Sequence, residues 1–176
     1  SASIAGTGAV TRHLGSVLRR EDRLDINELS PAFADALRRD VLTLPCFTNA
    51  MAQRRVRLFE GPVQDMIGQQ QYDFIVSGLP LTIFTVDQVR AILDALRRSL
   101  KPGGVFSYFE YIGLRKISGA VMTGSERRRA RDVSRFLTQS IETYQFDRRT
   151  VLLNLPPAYA RHWRFEPTRQ GEPVRD

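Results

Sequence analysis

Short apolar runs alternate with stretches of helical periodicity along this chain. Runs typical of buried strands lie at residues 24–26, 56–59, 74–76 and 105–111. Between the last two runs, apolar side chains recur at steps of three and four residues, at Val89, Ile92, Leu96 and Leu100. This is the spacing of one helix face. Apolar strands that alternate with helices are typical of a parallel sheet covered by helices on both sides.

Turn and capping residues predict where two of the helices begin and end. Ser30 supplies an N-cap and Pro31 a preset first residue for a helix after the first of these strands. Thr85 and Gln88 have the spacing of a capping box for the helix before residue 102. That helix is expected to end at the Pro-Gly-Gly sequence of residues 102–104, which also precedes the next strand.

The C-terminal third predicts a long helix followed by a hairpin. An apolar face runs through residues 125–144, and residues 150–155 and 159–165 have the composition of strands joined by a tight connection. No repeat or low-complexity linker marks a second domain. We therefore expect residues 1–176 to form one α/β domain. Its sheet should be doubly wound and Rossmann-like, mostly parallel, with a C-terminal antiparallel hairpin strand.

The first residues are a weak strand candidate. Residues 1–5 are mostly Ser and Ala, whereas a central parallel strand is usually rich in Val, Ile and Leu. Directly afterwards, a glycine turn leads into a segment of helical periodicity that begins near Gly8. We therefore expect part of the first strand to lie outside this sequence.

Composition and charge are those of a soluble globular chain with an excess of positive charge. The 176 residues are 42% hydrophobic and 26% charged, which suits one domain with its own core. A net charge of +7 attracts polyanions, either nucleic acid or an anionic lipid surface, and charge alone does not choose between them. One acidic residue, Glu126, stands among six basic residues in positions 115–131: Arg115, Lys116, Arg127, Arg128, Arg129 and Arg131. This segment predicts a basic patch for lipid phosphate, with a solvated helix face as the alternative.

Cysteine and histidine usage argue against a disulfide framework and against a metal site. Cys46 is the single cysteine, which favours a reducing compartment, and it has no Cys-x-x-Cys partner. His13 and His162 lack metal-ligand spacing. No apolar run approaches the roughly 18 to 20 residues that cross a bilayer, and residues 1–5 do not form a secretory signal. We expect a cytoplasmic protein whose membrane contact is peripheral.

Candidate ligand-binding residues follow the ends of the predicted strands. In doubly wound sheets ligands bind at the carboxyl ends of the strands, and a glycine turn such as residues 6–8 lets a cofactor lie against the backbone. Glu28 follows about twenty residues later, the separation at which a carboxylate binds ribose hydroxyls. These parts alone also suit a nicotinamide cofactor or a turn without a ligand. A dehydrogenase, however, needs a hydride partner and a longer substrate domain.

The order of these segments resembles class I S-adenosylmethionine-dependent methyltransferases. The glycine turn, Glu28, the Leu-Lys-Pro-Gly-Gly sequence of residues 100–104 and the terminal hairpin carry this resemblance. More narrowly, residues 26–31, 75–81 and 151–158 resemble bacterial phospholipid N-methyltransferases. The resemblance implies S-adenosylmethionine as cofactor and S-adenosylhomocysteine as product. It further implies stepwise N-methylation of phosphatidylethanolamine toward phosphatidylcholine, on an anionic phospholipid surface at the inner face of the cell membrane.

The resemblance also implies a set of site residues. The cofactor would contact Gly6, Thr7, Gly8, Glu28, Leu29, Gly61, Pro62, Val63, Ser77, Gly78 and Leu79. The substrate would contact Pro80, Tyr108, Tyr111 and Arg115.

Three features depart from the family pattern. Pro62 follows Gly61 where many class I enzymes place an aspartate, and no acidic residue precedes the glycine turn. The family also commonly begins with an amphipathic helix that lies on the membrane. We expect that helix, like part of the first strand, to lie outside this sequence.

The chemistry implied by this resemblance needs no metal, because the methyl group is already activated by the sulfonium charge. The enzyme must hold a neutral amine in line with that methyl group and exclude water. We expect Tyr111 and Ser77 to be catalytic, with Tyr111 packing on the methylated ammonium through cation–π attraction. Glu110 and Tyr108 are further candidates for accepting the ammonium proton. For Tyr111 and Ser77 the structural alternatives are a packed aromatic ring and a loop-forming hydroxyl.

Two other functions remain open from the residues. Ribosomal RNA adenine dimethylases share the general layout but use an Asn-x-Pro-aromatic loop to bind and stack the base. Ser77 and Leu81 replace both functional groups here, which argues against a nucleic-acid substrate. The third class is a lipid- or RNA-binding module that keeps the fold without the cofactor.

Overall fold

The computed structural model describes residues 2–5, 8–66, 70–111, 124–151 and 158–165. The strands are β1 (Ala2–Ala5), β2 (Leu24–Glu28), β3 (Val56–Glu60), β4 (Tyr72–Ser77), β5 (Leu100–Tyr111), β6 (Gln145–Val151) and β7 (Ala158–Trp163). The helices are α1 (Gly8–Val17), α2 (Pro31–Asp40), α3 (Pro45–Ala52), α4 (Val86–Ser99) and α5 (Gly124–Tyr144). Short 3-10 turns occupy Val63–Met66 and Leu81–Ile83.

Within the described residues the strands form one seven-stranded sheet in the order β3-β2-β1-β4-β5-β7-β6. Strands β1 to β5 run parallel to one another, and β7 runs antiparallel to both β5 and β6. The winding direction reverses between β1 and β4, which creates a switch point at the carboxyl edge of the sheet. This arrangement confirms the predicted doubly wound, mostly parallel sheet with an antiparallel hairpin strand.

The weak strand candidate at the start of the chain is a central strand. Ala2–Ala5 pairs with β2 on one side and β4 on the other, with Ile4 opposite both Ile26 and Val76. Pairing on both sides satisfies the backbone hydrogen-bonding groups of this short segment. The residue composition of this segment predicts a strand only weakly, whereas its pairing with two neighbours makes it a central strand.

The C-terminal hairpin begins earlier than the sequence predicts. Strand β6 starts at Gln145, directly after α5, rather than near residue 150, and β7 ends at Trp163. The start of β6 carries the charged run Asp147, Arg148 and Arg149, which lacks the alternation of a half-buried strand. Charged side chains are common on edge strands, because they discourage pairing with another chain.

Helix ends follow the capping residues, and one helix was not predicted. The Thr85 hydroxyl accepts a hydrogen bond from the Gln88 backbone N–H, and the Gln88 side chain accepts one from the Thr85 N–H. This is the predicted capping box. Helix α4 ends at Ser99 and β5 begins at once, so the Pro-Gly-Gly sequence lies inside the strand rather than before it. Helix α3 has only eight residues, too few to show a clear periodicity in the sequence.

Two hydrophobic clusters lie on opposite sides of the sheet. One joins β4, β5 and β7 to α4 and α5, and its largest fully buried side chains are Phe106 and Trp163. The other joins β2 and β3 to the first three helices around the fully buried Phe47. Helices on both faces leave the strand ends at the carboxyl edge as the place where loops can form a site.

A polar network joins β2, β3 and β4 near their amino-terminal ends, away from the carboxyl edge. The buried Asp25 carboxylate on β2 accepts two hydrogen bonds from the Arg57 guanidinium on β3, at 2.7 and 2.8 Å. The Tyr72 hydroxyl on β4 donates to the same carboxylate at 2.8 Å, across the intervening β1. Burial, and then the hydrogen bond to Asp25, raise the pKa of Tyr72 well above its usual range. The network therefore holds Tyr72 as a neutral donor.

Candidate active site

A cavity of about 510 Å³ opens at the carboxyl edge of the sheet, at the switch point. Its size lies within the usual range of small-molecule sites. The lining is mostly apolar and comes from the loops after β2, β3 and β4, from α2 and the residue after it, from the start of α1 and from the middle of α4. It comprises Gly8, Asn27, Glu28, Leu29, Phe33, Ala36, Leu37, Asp40, Val41, Pro62, Val63, Gln64, Gly78, Leu79, Pro80, Phe84 and Ile92.

Glu28 lies at the end of β2, on the wall of this cavity. Its Oε1 accepts a hydrogen bond from the Ser30 backbone N–H at 2.9 Å, which fixes the carboxylate against the β2–α2 loop. In the described part of the chain no donor is bound to its Oε2. A fixed carboxylate with one accepting oxygen left over suits a pair of ribose hydroxyls.

Asn27 is a site residue that the sequence did not single out. It is 4% exposed and lines the cavity, and its Nδ2 donates to the Gly61 carbonyl at 3.0 Å. The Gly61 N–H in turn donates to the Glu28 carbonyl at 3.0 Å. These two bonds join the end of β2 to the loop after β3. Its place beside Glu28 at a strand end was the signal that could have identified it.

Gly61 positions its neighbours rather than forming the wall. Its φ of +140° lies in a region that side chains rarely adopt, so a glycine is required for this turn. The turn brings Pro62 and Val63 onto the cavity wall. The predicted cofactor contact of Gly61 stays a prediction, and the structure shows its backbone role in this turn.

Gly8 marks a close approach of two helices at the cavity. A Cβ atom at Gly8 would lie 2.9 Å from Val41 Cγ2 and 3.5 Å from Leu37 Cδ2. The missing side chain lets α1 begin against the end of α2 and exposes its first backbone groups to the cavity. Gly6 and Thr7, predicted to share this role, lie outside the described residues.

Ser77 forms the loop after β4 and does not reach the cavity wall. It is 2% exposed, and its Oγ accepts a hydrogen bond from the Leu79 N–H at 3.2 Å. The resulting turn places Gly78, Leu79 and Pro80 on the wall. The structure therefore corrects the predicted cofactor and catalytic contacts of Ser77: its hydroxyl is buried and engaged in shaping the loop.

Tyr108 belongs to the core. It is 3% exposed, its ring stacks on Phe106 at 5.8 Å between ring centroids, and it meets Trp163 edge-on at 5.1 Å. It does not line the cavity. The predicted substrate contact is corrected to a packing role, because alternate residues of β5 face the cluster under α4 and α5.

The remaining predicted substrate and proton-accepting residues are only partly covered by the structure. Tyr111 ends β5 with its backbone opposite Ala158, and its side chain lies outside the described part of the molecule. Arg115 also lies outside the described residues. The Glu110 carboxylate accepts a hydrogen bond from Arg161 Nε at 2.6 Å. Glu110 is therefore committed to an ion pair, which disfavours it as a free base.

Comparison with known proteins identifies the family. Residues 4–104, more than half of the chain, match the model of a methyltransferase domain. The chain belongs to this methyltransferase family. S-adenosylmethionine is its cofactor. The match covers every strand whose end contributes to the cavity.

One curated relative has a lipid in its name. The chain is 30% identical over 109 residues to an ornithine lipid N-methyltransferase of Singulisphaera acidiphila. The match covers 58% of this chain and 52% of that protein. The chain thus spans about half the length of this curated relative.

Solved structures share the fold. The N-methyltransferase NodS from Bradyrhizobium japonicum WM9 superposes with a TM-score of 0.61 at 16% identity, over 93% of this chain and 85% of that one. The glycopeptide N-methyltransferase MtfA superposes with a TM-score of 0.62 at 13% identity, over 92% and 82% of the two chains. At such low identity the likeness shows the methyltransferase fold alone.

The cavity suits the cofactor of this family. The lining combines the accepting carboxylate of Glu28, apolar side chains such as Leu29 and Val63, and the backbone of Gly8. Within the described residues no cluster of three or more His, Cys, Asp or Glu side chains could hold a metal ion.

Proposed function

We propose that this protein transfers a methyl group from S-adenosylmethionine to the primary or partly methylated amine of a lipid headgroup. The specific substrate we propose is phosphatidylethanolamine and its monomethyl and dimethyl forms, on the way to phosphatidylcholine. The observation that carries this proposal is the switch-point cavity, in a methyltransferase chain that is 30% identical to an ornithine lipid N-methyltransferase.

The side chains at the cavity have distinct parts in this reaction. Glu28 holds the ribose of the cofactor through its free Oε2, and Asn27 keeps the loop after β3 in place through the Gly61 carbonyl. Leu29, Pro62 and Val63 cover the adenine with apolar surface. Fixing the cofactor in one orientation removes much of the entropy cost of bringing the two reactants together.

The loop after β4 positions the amine. Ser77 Oγ fixes the turn through the Leu79 N–H, and Gly78, Leu79 and Pro80 form the wall along which a headgroup can approach. Bound S-adenosylmethionine supplies an activated methyl group, which the nitrogen lone pair takes as the carbon–sulfur bond breaks and S-adenosylhomocysteine remains. The ammonium must first give its proton to water or to a nearby base. The apolar wall restricts water at that point.

We place the reaction at the cytoplasmic surface of the membrane, with the protein bound peripherally. None of the described helices combines the length and the apolar composition that crossing a bilayer requires. The net charge of +7 favours anionic phospholipid surfaces. Several arginines of α5 are exposed and could contribute to that attraction.

Methylation of defined vesicles tests the proposal. The purified chain is incubated with methyl-labelled S-adenosylmethionine and vesicles that contain phosphatidylethanolamine, ornithine lipid or neither, and the extracted lipids are analysed by mass spectrometry. We expect products heavier by one, two or three methyl groups in the phosphatidylethanolamine vesicles. If label appears only in ornithine lipid, the proposed substrate phosphatidylethanolamine is wrong, and methylation of a lipid amine still holds. Label in added RNA and in no lipid would reject the proposal.

A further inference from the structure

A second cavity, of about 500 Å³, lies between the starts of α4 and α5. Thr85 and Val86 line it from α4, and Ser125, Arg128, Arg129 and Asp132 line it from α5. Within the described residues no ion pair engages Arg128 or Arg129. The Asp132 carboxylate lies 3.7 Å from Arg135, one helical turn further on. Two exposed guanidinium groups are thus available to a ligand in this cavity.

The local charge favours an anion. Residues 124–135 contain five arginines and two carboxylates. The guanidinium group presents a planar set of donors that matches phosphate and carboxylate oxygens in pairs. A ligand bound here therefore carries a phosphate or a carboxylate.

This cavity adjoins the proposed methyl-transfer site. Phe84 lines the first cavity, and the next residue, Thr85, lines the second. The turn Leu81–Ile83, which continues the loop after β4, packs against α5. Since α4 follows β4 and α5 follows β5, and these strands are parallel, both helices start at the carboxyl edge of the sheet. The guanidinium groups therefore lie on the same edge as the loop at residues 78–80.

We propose that Arg128 and Arg129 bind the anionic group of the substrate while its amine lies at the loop after β4. The inference rests on the proposed function and narrows it: the enzyme selects amines that carry a neighbouring phosphate or carboxylate over simple alkyl amines. The second cavity thus recognises the anionic group of the substrate, and the first cavity holds S-adenosylmethionine.

Binding of soluble anions tests the site without turnover. Isothermal titration is carried out with inorganic phosphate and with glycerophosphoethanolamine on the wild type, on Arg128→Ala/Arg129→Ala, and on Arg97→Ala/Arg98→Ala. The last variant removes the same charge from the opposite end of α4. We expect the first variant to weaken binding of glycerophosphoethanolamine about tenfold or more, since two charge-assisted hydrogen-bonding groups are lost. The control should bind as the wild type does. Equal binding by all three proteins would overturn the inference.

Kinetics on vesicles tests the selection. The substrates are phosphatidylethanolamine and a long-chain alkyl amine, each in phosphatidylcholine vesicles. We expect Arg128→Ala/Arg129→Ala to raise the KM for phosphatidylethanolamine about tenfold with little change in kcat. The KM for the alkyl amine should stay unchanged. An equal rise for both substrates, or the same rise in the Arg97→Ala/Arg98→Ala control, would show general surface attraction instead.

The two proposals fail in different ways. If the wild type methylates phosphatidylethanolamine and the α5 variant does so equally well, the anion site is wrong and the function stands. If the wild type methylates no lipid amine, the proposed function is wrong. The titration with glycerophosphoethanolamine then decides the anion site by itself.

Discussion

Glu28 shows how one side chain can serve both the fold and the site. One carboxylate oxygen accepts a hydrogen bond from the Ser30 N–H at the start of α2, and the same residue lines the cavity. The same residue was predicted from its distance to the glycine turn. Its neighbour Asn27 was not, because its role depends on a bond to Gly61, 34 residues away along the chain.

We expect Glu28→Ala to raise the dissociation constant for S-adenosylhomocysteine about 10- to 100-fold, because a hydrogen bond to a charged group contributes roughly 1.5 to 3 kcal/mol. Glu28→Gln keeps an acceptor and should lose less. Isothermal titration measures both variants, with the exposed Glu142→Ala on α5 as control. Unchanged affinity in Glu28→Ala would remove this residue from the cofactor site.

The elements that the sequence predicts best are those whose pattern is local. Strands β2 to β5 and helices α2 and α4 have apolar runs, periodicity or capping residues of their own. Strand β6 and helix α3 do not, because an edge strand tolerates charge and eight residues hold little more than two turns. Among the wall residues, Leu29, Pro62 and Leu79 follow strand ends and were named as cofactor contacts from the resemblance, whereas Phe33 of α2 and Val41, directly after α2, were not named. Those two reach the cavity only through the packing of α2 against α1 and the sheet.

The contact of α1 with α3 leads to a prediction about Gly15. A Cβ at Gly15 would lie 2.3 to 2.9 Å from three ring atoms of the fully buried Phe47. Alanine normally favours a helix over glycine by about 1 kcal/mol. Here we expect Gly15→Ala to lower the free energy of unfolding by about 1 to 3 kcal/mol, because a fully buried ring would have to shift to admit the new methyl group.

Urea denaturation measures this change. Gly124→Ala is the matched control, since a Cβ there meets no atom within 4 Å. The double variant Gly15→Ala/Phe47→Leu should lose less stability than the sum of the two single losses, because the two sites are in contact and their effects do not add. A Gly15→Ala protein as stable as the wild type would show that α3 does not pack on α1 in this way.

At the scale of the whole molecule, the face of the last three strands away from the α4–α5 cluster carries a titratable histidine, His162. Ser107 Oγ on β5 lies 2.7 Å from His162 Nδ1 on β7, and Asp147 on β6 is the register partner of His162. Burial lowers the pKa of His162 from its ordinary value of 6.5. The Asp147 carboxylate opposes that shift and Arg149 adds to it. The folded protein therefore favours the neutral imidazole.

We expect stability to fall as the pH drops through 6.5, because the unfolded chain then takes up a proton that the folded chain binds less readily. His162→Gln keeps a partner for Ser107 and cannot titrate, so its stability should fall less between pH 7.5 and pH 5.5, values chosen to lie about one unit either side of the ordinary histidine pKa. Urea midpoints at a series of pH values measure this difference. Parallel curves for the two proteins would contradict the assignment.

The Asp25, Arg57 and Tyr72 network has a consequence for how the chain finds its pairing partners. Tyr72 and Asp25 belong to strands that are not neighbours, so their bond can form only when three strands are aligned together. Sliding β4 by a single position would reverse the sides to which its residues point, and the Asp25 carboxylate would lose the Tyr72 hydroxyl while keeping Arg57. The hydrogen bond between Tyr72 and Asp25 therefore favours the native register of β4 over a shifted one. That register in turn fixes where the loop after β4 lies at the cavity.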